Sequence, residues 1–389
     1  MKNLFNYYFR IYLILLSLLT IYFLFQKYNN LVEWTVSEWL INYQGGFTRR
    51  GLIGEIIYQI SNIISLSVRE IILLFQISSC LFYYYLIFNF FKKIKINSLT
   101  IFAIFSPLFI TYPVAEVEVL ARKEIFLFIS FLLILNIFSL KKISNIHYFY
   151  FSILLTLCIL IWEGVIFYIP YFIFILFVKN NFNYNREFII RVILSLIPFF
   201  ITLYFIINTR LTSEDVITMC SSVNECYGAM TYLNRDLISN IGEVTSQFKI
   251  TYLIRYLGIF IIGFFALLIM VTSSSLITRN TPKMKNFLLL LFLLALIPSL
   301  FFYLIAQDWG RWISISYTLS ILTYFYCLKN NFIIFKNPKF KYQIFKNKNI
   351  LIILFVIFCL GWNQKTLMKD DIGSLPIYRK VYSVIKNSI

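Results

Sequence analysis

Apolar residues run along this chain in long unbroken blocks, and short charged segments separate them. A block of ~20 residues rising 1.5 Å each crosses a ~30 Å hydrocarbon core as a helix. Eleven blocks fit that pattern, at 11–26, 71–91, 99–115, 124–140, 148–162, 164–178, 188–208, 254–274, 285–305, 312–328 and 349–363. The pattern predicts an all-α, polytopic transmembrane helical bundle of about 11 spans, with 1–389 as a single integral membrane domain. A long loop is expected at 209–253, and an interfacial tail at 364–389 in which Ile377, Tyr378, Val381, Tyr382, Val384 and Ile385 form an amphipathic stretch. The first span is longer than a usual signal-peptide core and lacks a small-residue cleavage site, so it is expected to be retained. No internal repeat is evident, and no linker rich in Pro, Gly or Ser divides the chain.

Composition agrees: 60% of residues are hydrophobic, only 13% are charged, and the mean hydropathy is +0.79. A soluble domain of 389 residues would need more polar surface. Charge adds an orientation. Lys2 and Arg10, Lys92, Lys93 and Lys95, Lys141 and Lys142, Lys179, Arg186 and Arg191, Arg279, Lys283 and Lys285, and the lysines from Lys329 to Lys348 mark alternate segments. Short basic loops stay in the cytoplasm, so the amino terminus is expected inside and the carboxy terminus in the periplasm. Of the 35 Lys and Arg and 17 acids, the inner segments hold 19 and one (Glu187), leaving 16 and 16 outside. The net +18 is therefore a topology signal and not a nucleic-acid footprint.

Residue supply narrows the chemistry. His147 is the sole histidine and no His/Cys set has metal-ligand spacing, which argues against a zinc site and a Ser-His-Asp triad. Cys220 and Cys226 lie six apart in the long outer loop, where an oxidising compartment would permit a disulfide; two free thiols are the alternative. Cys80, Cys158, Cys327 and Cys359 read as small packing residues.

Four outer segments carry candidate chemistry. The first contains Gly45-Gly46-Phe47-Thr48-Arg49-Arg50-Gly51-Leu52-Ile53-Gly54. Paired glycines allow a sharp turn, and the planar fork of arginine suits phosphate. Residues 52–65 are apolar but too short to cross, which fits an interfacial or re-entrant helix; one starting near Gly51 would aim its N–H groups at the anion. Lipid headgroups are the plainer ligand for Arg49 and Arg50. Glu33 and Glu38, upstream, read first as a solvated helix face and second as catalytic.

The second segment packs Glu116, Glu118, Arg122, Lys123 and Glu124 into nine residues, with Glu118 and Arg122 spaced as i,i+4 helix partners. Its basic pair would sit at phosphate depth, unless the segment is only an ion-paired turn. In the third, Glu163 occupies a tight turn between apolar runs and has no cation beside it in sequence. Burial would then raise its pKa, suiting an acid or proton carrier; a turn residue reaching water is the alternative. The fourth is Gln307-Asp308-Trp309-Gly310-Arg311-Trp312. There Trp would stack on a sugar face, Arg would hold phosphate, and Asp308, kept ionised by Arg311, would serve as the base; an interfacial belt with a local ion pair is the plainer reading.

The stretch 45–54, Arg122-Lys123-Glu124 and Asp308-Trp309-Gly310-Arg311-Trp312 resemble the O-antigen or capsule repeat-unit polymerases (Wzy-like) of bacterial surface-polysaccharide loci. The likeness covers most of the chain in architecture but only these short motifs in residues. It implies a bacterial inner-membrane enzyme with a periplasmic site and undecaprenyl-pyrophosphate-linked oligosaccharides as donor and acceptor. It implies no cofactor, metal or nucleotide sugar, and a flippase and a chain-length regulator as partners. Arg49, Arg50, Arg122 and Arg311 match that family's functional arginines by type and side, not by an aligned motif. Two rivals stand beside it. One is a membrane glycosyltransferase using a polyprenyl-phosphate sugar, a class that often carries acidic pairs in the first outer loop. The other is a polysaccharide flippase or exporter, which would favour charges in mid-span.

Overall fold

The computed structural model describes residues 2–29, 34–94, 97–276, 284–335 and 347–370. In chain order the helices begin with α1 (Lys2–Tyr28), α2 (Trp34–Leu40), α3 (Gly51–Ile64), α4 (Val68–Phe91), α5 (Ser98–Ile104) and α6 (Tyr112–Ala115). There follow α7 (Ile125–Ile137), α8 (Asn145–Ile161), α9 (Ile169–Lys179), α10 (Arg186–Asn208) and α11 (Ser213–Val223). The last are α12 (Leu237–Gln247), α13 (Ile250–Thr272), α14 (Met284–Ile305), α15 (Trp309–Lys329) and α16 (Lys348–Phe355). Two three-residue strands, β1 (Ser274–Leu276) and β2 (Ile333–Phe335), pair antiparallel, with Ser275 opposite Ile334.

The protein is thus mostly helical, and among the described residues four helices are long and apolar enough to cross a membrane: Leu4–Tyr28, Val68–Phe91, Arg186–Asn208 and Ile250–Thr272. These mark it as a membrane protein. The eleven expected spans do not all appear as such helices. The block at 99–115 breaks into α5 and α6, 124–140 shortens to the 13-residue α7, and 164–178 begins as a 3-10 turn, Glu163–Tyr168, before α9. Apolar composition persists through these breaks, so it cannot report them. Glu33, Lys95, Arg279, Lys283, Lys336, Lys339, Lys341, Lys346 and the amphipathic stretch at 377–385 lie outside the described residues.

The chain groups into two compact units. The amino-terminal unit comprises Asn6–Lys93 and Leu120–Ser239. Within it α8 packs on α10, α4 on α7, and α3 on both α4 and α8. Ser67 and Glu70 form a reciprocal capping box that starts α4, and Thr212 and Asp215 do the same for α11. The long segment after α10 is therefore folded, and its first part docks on residues 34–50. Asn42 Nδ2 donates to Ser222 Oγ at 3.1 Å, and the Ala229 N–H donates to Ser37 Oγ at 2.9 Å. A Cβ on Gly45 would lie 2.0 Å from the Asp215 carbonyl oxygen, so only glycine permits this approach. A disulfide joins Cys220 to Cys226, and Arg69 forks onto Glu225 and donates to Tyr227 Oη at 2.9 Å.

The carboxy-terminal unit comprises Met1–Phe5, Ile94–Val119 and Asn240–Ile389. Its core is α15, buried from Trp309 to Cys327 although rich in Ser, Thr and Tyr. Those hydroxyls answer the break between α5 and α6: Tyr317 Oη donates to the Ala103 carbonyl at 2.8 Å, and Ser314 Oγ to that of Leu108 at 2.9 Å. Unmet carbonyls are costly where water is absent. The expected interfacial tail begins instead as a buried strap: Asn363, Gln364, Thr366 and Met368 are enclosed, Gln364 Nε2 donates to the Gly310 carbonyl, and the Gly310 N–H donates to Thr366.

Gly54 sits inside α3, where Ala would ordinarily be preferred by ~1 kcal/mol. Its Cβ would lie 2.0 Å from the Ile41 carbonyl oxygen, whereas one on Gly258 in α13 would meet nothing. Gly54→Ala is expected to destabilise the protein by about 1–3 kcal/mol. Gly258→Ala should be neutral or slightly stabilising; thermal unfolding of both variants in one detergent checks the contrast.

Candidate functional site

The site of the amino-terminal unit is built around the backbone of Arg50. The turn at 43–46 closes with the Gly46 N–H on the Tyr43 carbonyl at 2.9 Å, and Glu55 of α3 reaches back to accept from the Tyr43 N–H at 3.0 Å. Arg50 then adopts φ 65°, a left-handed conformation that costs a side chain of its kind ~1 kcal/mol. It caps α3 without a side-chain bond to the helix N–H groups. Its carbonyl instead accepts from Lys123 Nζ. Its guanidinium grips Glu163: Nε lies 2.7 Å from Oε2, and Nη2 lies 2.6 Å from Oε1.

Three further groups complete the cluster. Glu38 Oε1 lies 3.7 Å from both Arg50 Nη1 and Arg122 Nη1. Arg49 Nη1 lies 3.9 Å from Glu163 Oε1, while its Nη2 donates to the Tyr232 carbonyl in the docked segment. Trp39 Nε1 donates to the Ala121 carbonyl at 2.8 Å, and the left-handed turn at Ala121 (φ 55°) presents Arg122 and Lys123. That turn and the 3-10 helix Val117–Val119 interrupt 116–124, so the helical spacing expected of Glu118 and Arg122 does not exist. Four separate segments thus bring Glu38, Arg49, Arg50, Arg122, Lys123 and Glu163 together.

Burial and pairing set the charges. Burial favours a neutral Glu163, but the Arg50 fork and nearby Arg49 outweigh it and hold the carboxyl at about 2. The expectation that Glu163 is an acid with a raised pKa is therefore overturned, because its cation comes from 113 residues away. Burial also disfavours a charged Arg50, yet Glu163, Glu38 and Glu124 more than restore it. Lys123 is fully enclosed, and burial lowers it to about 7; Glu38 and Glu163 resist that fall and Arg50 adds to it. Burial lowers Arg49 too, against the pull of Glu163.

Glu38 is the residue that sequence reasoning misplaced. It is 3% exposed, not a solvated face, and its Oε2 has no hydrogen-bond partner among the described residues. The signal was local: within Trp34-Thr35-Val36-Ser37-Glu38-Trp39-Leu40-Ile41, Glu38 is the sole charge, and every residue from Thr35 to Ile41 is buried.

The remaining candidates belong to the carboxy-terminal unit. Arg311 Nη1 donates to Asp308 Oδ2 at 2.6 Å and lies over the Trp312 ring, which stacks on Phe302. Trp309 is 2% exposed and ringed by Phe248, Tyr256 and Tyr303. Both indoles are thus occupied by protein groups and do not present a face for a sugar. Glu116 is buried and pairs with Lys365 at 3.2 Å, whereas Glu118 is exposed. Two apolar grooves of about 510 and 860 Å³ line α10 and the α8–α10 seam and contain none of the Arg50 cluster. Among the described residues no group of three His, Cys, Asp or Glu could hold a metal.

Lys123 carries a pH dependence. Above about 7 the folded protein has released this proton while the unfolded chain, near 10.5, still holds it. Stability should therefore rise with pH from 7 towards 10, by up to ~1.4 kcal/mol per unit from this group. Lys123→Met should remove that rise in melting temperature between pH 7 and 9. Glu163 acts in the opposite window: its contribution is present above about 4.5 and fades as pH falls towards 2. No family model, no curated protein and no solved structure matches the chain.

Proposed function

We propose that the protein is a membrane glycosyltransferase that takes a sugar from a polyprenyl-pyrophosphate carrier, and that it joins oligosaccharide repeat units as an O-antigen or capsule polymerase. The observation that carries this reading is the convergence of Arg50 and Arg122 on the buried, half-unpartnered carboxylate of Glu38, with Lys123 on the Arg50 carbonyl beside them. Such a reaction needs cations where a pyrophosphate departs and a carboxylate where an acceptor hydroxyl gives up its proton. Glu38 fits the base better than Glu163, whose oxygens are both held by Arg50. The basic-loop pattern supports eleven crossings of the inner membrane, the amino terminus in the cytoplasm and the cluster at the periplasmic face. A flippase and a chain-length regulator would be its working partners.

A second reading keeps the same chemistry with a polyprenyl-phosphate monosaccharide as donor. The burial of Glu38 in the first outer segment favours it, since that class often carries acidic pairs there, although this chain has the spaced Glu33 and Glu38 in place of a pair.

A chromosomal deletion complemented by variants tests both. Lipopolysaccharide capped by a single repeat in the deletion strain is the polymerase outcome; truncated repeats, or activity lost on chelation of divalent metal, are the transferase outcome. Glu38→Gln should cut product at least ~100-fold at normal protein level. Arg50→Lys and Arg122→Lys keep charge but lose the fork, and should also impair it. Full-length product from Glu38→Gln would overturn the assignment of the base, and Asp308→Asn then tests the carboxylate of the other unit.

A further inference from the structure

Glu163 is the member of the cluster to which this chemistry gives no task. Its carboxylate fills the fork of Arg50, with contacts of 3.0, 2.7 and 2.6 Å. The fork that donates to two carboxylate oxygens donates as well to two phosphate oxygens in the same plane. Arg49 lies 3.9 Å from the same carboxylate, and the pair stands at the start of the 14-residue α3, whose first N–H groups have no side-chain cap. Both partners remain partly accessible, at 24% for Arg50 and 21% for Glu163.

A second observation, independent of that ion pair, points to a ligand. Glu38 is 3% exposed, its Oε1 is 3.7 Å from Arg50, and its Oε2 has no hydrogen-bond partner among the described residues. A buried acceptor left open costs free energy until a donor arrives. An open acceptor beside a guanidinium fork suits a site where a hydroxyl is brought against a phosphoryl group, as the acceptor's hydroxyl is beside the donor phosphate.

We propose that the Glu163 carboxylate stands in for a donor phosphoryl group, and that the phosphoryl group displaces it from Arg50 on binding. This rests on the reading of the protein as an enzyme of lipid-linked sugar phosphates. The resident carboxylate keeps the half-buried guanidinium paired while the site is empty, when an unpaired charge would be costly. It also sets a threshold: an anion enters only if it bonds to Arg50 better than a carboxylate does. A phosphoryl group with more charge and more acceptor oxygens passes that threshold, and a carboxylate ligand does not. The displaced Glu163 stays within reach of Arg49.

The test is equilibrium binding of inorganic pyrophosphate to the purified full-length protein in detergent, which needs no sugar transfer. Glu163→Gln should tighten binding by roughly tenfold, because the competing charge is gone. Arg50→Lys should weaken it by roughly tenfold in either background. Glu163→Asp shortens the carboxylate's reach and should tighten binding by about threefold, and it decides the matter should Glu163→Gln fail to fold. Unchanged or weaker binding by a folded Glu163 variant, or no pyrophosphate binding by any form, overturns the proposal. Tighter binding with unaltered surface polysaccharide in the deletion strain upholds the displacement and refutes the glycosyltransferase instead.

Discussion

A charge removed from water must be answered by another charge or by an oriented dipole, and in the amino-terminal unit that constraint converges on Arg50. Its side chain answers Glu163 and Glu38, and its carbonyl answers the enclosed Lys123. One residue serves both because its backbone is left-handed, which turns side chain and carbonyl towards different segments of the chain. A residue with ordinary helical φ would begin α3 one step earlier and leave Lys123 without that oxygen. The conformational cost at Arg50 is small beside the cost of an unpaired buried charge.

The docked segment after α10 supports this arrangement from outside. It reaches residues 37, 42 and 45 by a hydrogen bond, a second hydrogen bond and a close backbone approach, and its Tyr232 carbonyl holds Arg49. The Cys220–Cys226 link closes the turn that delivers Glu225 to Arg69. A loop of this length would otherwise lose much entropy on docking; the covalent link removes part of that cost from the unfolded side. The cluster is thus walled by a segment that carries the Cys220–Cys226 link and approaches the chain at Gly45, where a side chain would not fit.

The carboxy-terminal unit meets the same constraint with hydroxyls. A broken helix leaves carbonyls that lipid cannot satisfy, and α15 supplies Ser314 and Tyr317 to them. That explains a helix that is enclosed yet polar, and too polar to stand among the four membrane-length helices. Around its first turn, Gly310 lets the strap at 364–366 lie against the backbone, since a Cβ there would be 1.9 Å from the Lys365 carbonyl oxygen.

Sequence alone determined the helical, membrane-embedded class, because apolar block length is a one-dimensional property and needs no partner. It also singled out Arg49, Arg50, Arg122, Lys123 and Glu163, since charges between apolar blocks stand out by contrast. The Gly-Gly turn was legible for the same local reason. It did not separate whole spans from broken ones, because an apolar block keeps its composition where its hydrogen bonding fails. Only the tertiary structure decided that Glu38 is enclosed, that Glu163 is the ionised partner of Arg50, and that Trp309 and Trp312 are packed among other rings. Each of those depends on a neighbour far away in the chain: burial and charge state are fixed by what surrounds a group in space, and a reading of adjacent residues carries no record of it.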